Sequence, residues 1–480
     1  MRGVFINRPW FWLLFQGAGL LIIFLRYETF QLIPVDVDGY WFWAKNLDWL
    51  SLTDVLSIRR TFGYPLFLRC VHLFSRSLTA LPICQLVLRL LAVFVFYWGL
   101  RHLKLSSWLA LFVSSSLFYP ETVPFAGDQL TSRLMSDSPA QSLAIMTIGL
   151  LLIVIGRPRS ALAWLGLLLS LFLTYQTRPI YLFLVLLVPL LGILVTALLA
   201  RRAERVHQIK RLGLGLIAVC LLPFLAWCTL RWAKVGQFGL VSIGGSSLVG
   251  IAGQVLTEEL VPKLPEDVRP LAFRALEERK NWSAGQKLVF EGSWQPPMDS
   301  DNKLRPGVVE DGTTAVNTQF LFEGVANELY GYNDVLVNSK LKELSWAIIK
   351  AKPRFYLLWL VESFRVAVIG VIAYNYLCGS LMVLLAVLLG IWCVAFADNY
   401  LRMVTAGRKW IPQADYSLQM LSLLLIAVSF AFAKILVIVP VATPERRYLA
   451  AAGVFLTPVA VLVPFAVWGQ IRRRLPLART

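Results

Sequence analysis

Three histidines in 480 residues, His72, His102 and His207, lie far apart, and no Cys/His spacing matches a metal site, which argues against zinc chemistry. The six cysteines, Cys70, Cys84, Cys220, Cys228, Cys378 and Cys393, lie mostly in or beside apolar stretches, and the large polar region has none. They form no disulfide framework. Charge is scarce too: 15% of the residues are charged and 58% apolar, with a mean hydropathy of +0.66, far from the soluble globular average. A cytosolic or secreted enzyme is thereby excluded, and the chain reads as an integral membrane protein. Acids are the scarcer sign, 28 against 46 Lys and Arg for a net charge of +18. The basic residues cluster in short segments between apolar stretches, where the positive-inside rule places them, so the basicity is topological and implies no nucleic-acid partner.

A bilayer core needs about 20 apolar residues per helix, and candidate spans lie near 9–26, 80–100, 106–119, 138–156, 160–176, 180–200, 212–232, 376–397, 416–440 and 448–470. The first follows Arg2 and Arg8 without a small-residue cleavage site after it and reads as a retained span. Basic patches follow every second span, from Arg101/Lys104 to Arg472, Arg473 and Arg474, which predicts both termini in the cytoplasm. The stretch 354–372, with Phe355, Tyr356 and Trp359, reads as an interfacial amphipathic helix, because a crossing there would put the Arg-rich C-terminus outside. The expected architecture is an all-α polytopic membrane protein of about ten transmembrane helices with outer-face loops. It divides into an N-terminal membrane module, 1–232, with a first outer loop at 27–79; one mixed extracytoplasmic domain, 233–350; and an interfacial helix with a C-terminal membrane module, 351–480. Region 233–350 carries 15 of the 28 acids and 12 basic residues, and reads as short helices and loops packed on the membrane part.

The outer face holds the chemistry. In Pro34-Val35-Asp36-Val37-Asp38-Gly39-Tyr40, an extended segment points Asp36 and Asp38 the same way. They can share a divalent metal or divide acid and base roles, whereas a helix N-cap explains one aspartate only. Further along, Arg59-Arg60 precedes Gly63-Tyr64-Pro65-Leu66-Phe67. Paired guanidinium groups suit bidentate phosphate binding, although near a headgroup plane they are more often lipid-surface anchors. Asp137, in Ser136-Asp137-Ser138-Pro139, reads as a helix start and cap. Thr177-Arg178-Pro179 and Pro444-Glu445-Arg446-Arg447-Tyr448 put arginines at outer span ends, against the positive-inside trend. At that depth they suit an anionic ligand such as a lipid phosphate, or a salt bridge from Glu445.

In order and topology these motifs resemble the membrane glycosyltransferases of the GT-C fold, especially bacterial relatives of the protein O-mannosyltransferases and of the lipid A aminoarabinose transferase. The likeness rests on Asp38-Gly39-Tyr40 with Ala44 and Leu47, Gly63 to Phe67, Asp137-Ser138, Thr177-Arg178-Pro179 and Arg447-Tyr448. It covers the membrane part and leaves 233–350 unexplained. The resemblance implies a GT-C-like bundle with a catalytic first outer loop, in which Asp38, with Asp36 as partner or second choice, is the base that activates the acceptor. Arg59, Arg60, Arg178, Arg446 or Arg447 would bind the donor phosphate, and Tyr40, Tyr64, Asp137 and Tyr448 complete the substrate site. The implied donor is a polyprenyl-phosphate sugar, and the acceptor a glycan, lipid or protein. Such an enzyme would sit among membrane lipids in a bacterial inner membrane and work on the periplasmic side. The rival reading is a transporter or flippase for an anionic phosphorylated lipid. It expects ionisable residues at mid-span and paired broken helices. Only Arg89 and Lys434 come near that pattern, and the two halves of the chain show no repeat.

Overall fold

In lipid every backbone polar group must be bonded within the chain, so long apolar runs cross as helices. The structure, a computed structural model, describes residues 9–26, 39–47, 51–75, 78, 80–118, 134–200, 205–283, 296–299, 301–375 and 416–474. These form helices and 3₁₀ turns with one isolated bridge, Met298 to Leu304, and no strand. In chain order the helices begin with α1 (Pro9–Arg26), α2 (Tyr40–Asn46), α3 (Leu52–Ser57), α4 (Gly63–Phe74), α5 (Leu81–His102), α6 (Ser107–Ser115) and α7 (Asp137–Gly156). They continue with α8 (Ala161–Thr177), α9 (Leu184–Leu199), α10 (Arg205–Val235), α11 (Gly244–Ala252), α12 (Arg269–Ser283) and α13 (Val308–Asp311). The last are α14 (Thr313–Tyr330), α15 (Asp334–Ala351), α16 (Pro353–Asn375), α17 (Ser417–Ile438), α18 (Arg446–Ala452) and α19 (Leu456–Arg474).

Among the described residues six helices are long and apolar enough to cross a membrane: α5, α7, Pro179–Leu199 (a 3₁₀ turn running into α9), α10, α16 and α17. Ser107–Phe118, Ala161–Thr177 and Leu456–Gly469 are apolar but shorter. The expected run at 376–397 lies outside the described residues. The main core is built from α1, α5 to α10, α17 and α19. Close approach of α5 and α7 depends on missing side chains: a Cβ on Gly99 would meet the Gly149 carbonyl oxygen at 2.7 Å, and one on Gly149 the Phe96 Cα at 2.8 Å. Small residues at such contacts are the usual means of packing helices in lipid, where no hydrophobic effect drives them together.

Helix α16, read from the sequence as interfacial, is also long and apolar enough to cross a membrane. Its Tyr356 hydroxyl donates to the Pro440 carbonyl at 2.9 Å, Phe364 meets Phe432 edge-on with centroids 6.1 Å apart, and Ala367 and Val371 share a buried cluster with Ala431 and Ile435. Successive contacts descend α16 as they climb α17, so the two pack antiparallel, as neighbouring crossings do. The charges that made 354–372 look amphipathic, Glu362 and Arg365, sit near the middle of this 23-residue helix. Arg365 is exposed and pairs with Glu362 at 2.5 Å and with Glu310 of the polar region at 3.3 Å. An exposed ion pair of this kind belongs outside hydrocarbon.

Region 233–350 is more helical than its composition indicated, with α12, α14 and α15 running 15, 18 and 18 residues. It has its own core: Leu248, Val249, Leu271, Phe322, Leu341 and Ile348 among others, from α11, α12, α14 and α15. A second cluster joins Ile251, Val308 and Val309 to Phe355 and Trp359 of α16, fixing this region to the membrane part. Local rules hold where they can be checked: the Asn333 side chain accepts from the Val335 and Leu336 amides at the start of α15. At the start of α3, Ser51 and Asp54 form a capping box, and the Ser51 hydrogen bonds hold the Asp54 carboxyl below its ordinary value.

Candidate functional site

Proline biases the residue before it away from the helical region. Arg178, preceding Pro179, is extended at φ −150°, ψ 113°, and forms the joint between α8 and the following 3₁₀ turn. Its side chain reaches across to the start of α7, donating to the Asp137 carboxylate at 2.6 Å and to the Ser136 hydroxyl at 2.9 Å. Asp137 is 3% exposed. It does not serve as the expected cap: Ser136 holds the N-cap position and no side chain caps it. The Asp137 carboxylate is instead the counter-ion of Arg178.

Around this pair the motifs converge. The Ser136 hydroxyl is also 3.2 Å from the Tyr40 hydroxyl. Tyr448 lies under two guanidinium groups, with Arg178 5.2 Å and Arg447 4.8 Å from its ring centroid. Arg447 also donates to the Tyr448 hydroxyl at 3.1 Å and pairs with Glu445 at 2.6 Å, so the salt bridge weighed for Glu445 is present. Arg446 opens α18. Arg60 stacks 5.7 Å from the Tyr40 ring, and Tyr64, fully buried, meets Tyr40 edge-on at 4.9 Å. Gly63 makes this possible: a Cβ there would lie 2.5 Å from the Gln176 carbonyl, so the first loop rests directly on the backbone leading into Arg178. Arg59 faces elsewhere. Its guanidinium grips Glu323 at 3.0 and 2.9 Å and its amide donates to Asp334 at 3.1 Å, tying the loop to the polar region.

One turn deeper lies a cation whose partner the sequence did not reveal. Lys434 of α17 is 1% exposed, donates to the Tyr181 hydroxyl at 3.0 Å and lies 4.3 Å from that ring. Among the described residues no carboxylate pairs with it. Arg89 of α5, also buried, donates to Gln141, one turn below Asp137. Two further buried groups beside the cluster, the Ser138 hydroxyl and the Gln176 amide, have no hydrogen-bond partner among the described residues. Burying a charge is costly unless it is paired, and among the described residues the acids beside Arg178, Arg447 and Lys434 are Asp137 and Glu445. Such a surplus attracts an anion that can accept several hydrogen bonds, and phosphate does so.

Of the residues singled out in the sequence, Tyr40, Arg60, Tyr64, Asp137, Arg178, Arg447 and Tyr448 come together here, and Arg59 points to the polar region. Asp36 and Asp38 lie outside the described residues. Ser136, Tyr181 and Lys434 were missed as site members, although a lysine within an apolar run was a signal for one of them. No group of three His, Cys, Asp or Glu suited to a metal ion occurs among the described residues. The chain matches no protein family, no curated protein and no solved structure.

Proposed function

We propose that this protein is a membrane glycosyltransferase that moves a sugar from a polyprenyl-phosphate donor to an acceptor on the extracytoplasmic side. The observation that carries the reading is the buried group of Arg178, Arg447 and Lys434, which among the described residues outnumber their acidic neighbours and suit a lipid phosphate. The sequence resemblance supplies the base. In the sequence Asp38 stands two residues before Tyr40, whose hydroxyl belongs to the cluster.

In this reading the Asp38 carboxylate, or that of Asp36, takes the proton of an acceptor hydroxyl. The oxygen forms a bond to the anomeric carbon as the bond from that carbon to the phosphate oxygen breaks, and the electron pair leaves with the phosphate. One displacement inverts the anomeric centre. Arg178 and Arg447 stabilise the charge growing on the phosphate, the electrostatic contribution that usually matters most, and Lys434 adds a point charge from below. A flippase for the same lipid would use the same cations without the base.

The test is transfer of labelled sugar from a polyprenyl-phosphate pool by membranes holding equal amounts of wild type, Asp38→Asn, Asp36→Asn or Arg178→Gln. Loss of transfer in Asp38→Asn or Asp36→Asn supports the base. Full transfer in both removes it and favours movement of the lipid itself.

A further inference from the structure

Helix α15 bounds an open groove of about 880 Å³ on the polar region, lined by Lys263, Asp267, Lys342, Glu343, Trp346 and Lys350 among others. Lys342, Trp346 and Lys350 follow at intervals of four, which places them on one face of the helix. A second hollow, about 410 Å³, shares Ser339 with the first and reaches Ser57, Val235 and Gly236. The two together run along α15 to a point two residues before Arg59.

The lysines lining this groove differ in their pairing from several basic residues elsewhere on the polar region. Elsewhere Arg269, Arg274, Lys280 and Lys303 each have an acidic partner. Lys340 bridges Asp267 at 2.8 Å and Glu343 at 3.0 Å, engaging both acids of the groove. Lys263, Lys342 and Lys350 have no ion pair among the described residues, and all three line this one groove. Between Lys342 and Lys350 stands Trp346, 45% exposed, a flat apolar surface beside unpaired positive charge.

We infer that this groove binds an anionic saccharide chain. Unpaired lysines at turn spacing supply charge for carboxylates or phosphates along a polymer, and the indole face suits the apolar C–H face of a sugar ring. The open, elongated form fits a segment of chain rather than an enclosed small molecule. The role of such a ligand as acceptor rests on the transferase reading; its binding does not.

The test uses the purified full chain in detergent, with fluorescent oligogalacturonate as anionic probe, a maltooligosaccharide as neutral comparator and phosphatidylglycerol vesicles as the lipid alternative. Oligogalacturonate should bind with an affinity that falls as salt rises. That affinity should drop about tenfold in the Lys342→Gln/Lys350→Gln double variant and in Trp346→Ala, and stay unchanged in Lys303→Gln, with circular dichroism checking the fold of each. Equal binding of the neutral chain, indifference to the groove substitutions, or lysine-dependent binding to vesicles in place of saccharide would each overturn the inference. Arg178→Gln separates the two readings. Intact saccharide binding with lost transfer keeps the groove whatever the chemistry, whereas intact wild-type transfer without saccharide binding discards the groove alone.

Discussion

Arg178 owes its position to a proline and its charge balance to an aspartate more than 40 residues away. Replacing it by glutamine leaves Asp137 buried with no cation in contact. Breaking a buried pair by removing one partner typically costs about 3–5 kcal/mol, so Arg178→Gln should lower the thermal midpoint in detergent by several degrees. An unchanged midpoint would mean that another cation holds Asp137. Lys434 presents the opposite case. Its partner is a neutral phenol, so Lys434→Met should leave stability unchanged or raise it, because a buried charge gives way to an apolar chain of similar size. The same variant should bind the phosphorylated donor about tenfold more weakly, read by titration with a polyprenyl phosphate. A large loss of stability would make Lys434 a structural residue. At this scale the sequence was partly legible. Arg178 stood out because Pro179 ends a helix against the positive-inside trend, and Tyr448 because it follows two arginines. Lys434 was visible as a charge in an apolar run, but its contact with Tyr181 spans 253 residues and no local rule reaches that far.

Among the elements, the start of α4 decides where the first outer loop lies. Gly63→Ala drives a methyl group into the Gln176 backbone, which cannot rotate away as a side chain would. Overpacking of this kind costs about 1–3 kcal/mol. The variant should therefore unfold at a lower temperature and lose transfer activity out of proportion, since the loop carrying Tyr40 shifts against Arg178. Equal activity per folded molecule would show the loop to be indifferent to that contact. The long helices were legible from apolar length alone, because lipid leaves a spanning segment little choice but helix. The role of α16 was not. Glu362 and Arg365 gave the segment an amphipathic look, and the sequence could not indicate that the helix packs antiparallel along α17.

For the whole molecule, the antiparallel pairing of α16 with α17 fixes which ends lie together. Asn375 belongs to the end of the bundle where α17 begins, beside the α5–α6 turn, since Gln419 donates to the Leu103 carbonyl. Cysteines placed singly at Asn375 and Tyr416 in a cysteine-free background should react with an impermeant thiol reagent from the same side of sealed vesicles. Reaction from opposite sides would disprove the pairing as a crossing. If α16 crosses, the even number of spans, and with it a cytoplasmic C-terminus, survives without a single crossing at 376–397. What the composition conveyed at this scale was the class of protein and the existence of the polar region. Its helical fold, and its attachment through Phe355 and Trp359, depend on contacts between segments distant in the chain.

The surplus of cations around Tyr448 among the described residues also bears on how the molecule withstands heat. A site that holds like charges together with too few acids is under electrostatic load when empty, and any anion that settles there relieves it. Folding and binding are then linked, and a ligand that binds the native form alone stabilises it by about 2.7 kcal/mol when present at a hundred times its dissociation constant. Inorganic phosphate, added at constant ionic strength, should therefore raise the melting temperature of the wild type and do so less for Lys434→Met. The protein's thermal stability becomes a reporter of occupancy, readable before its substrate is known.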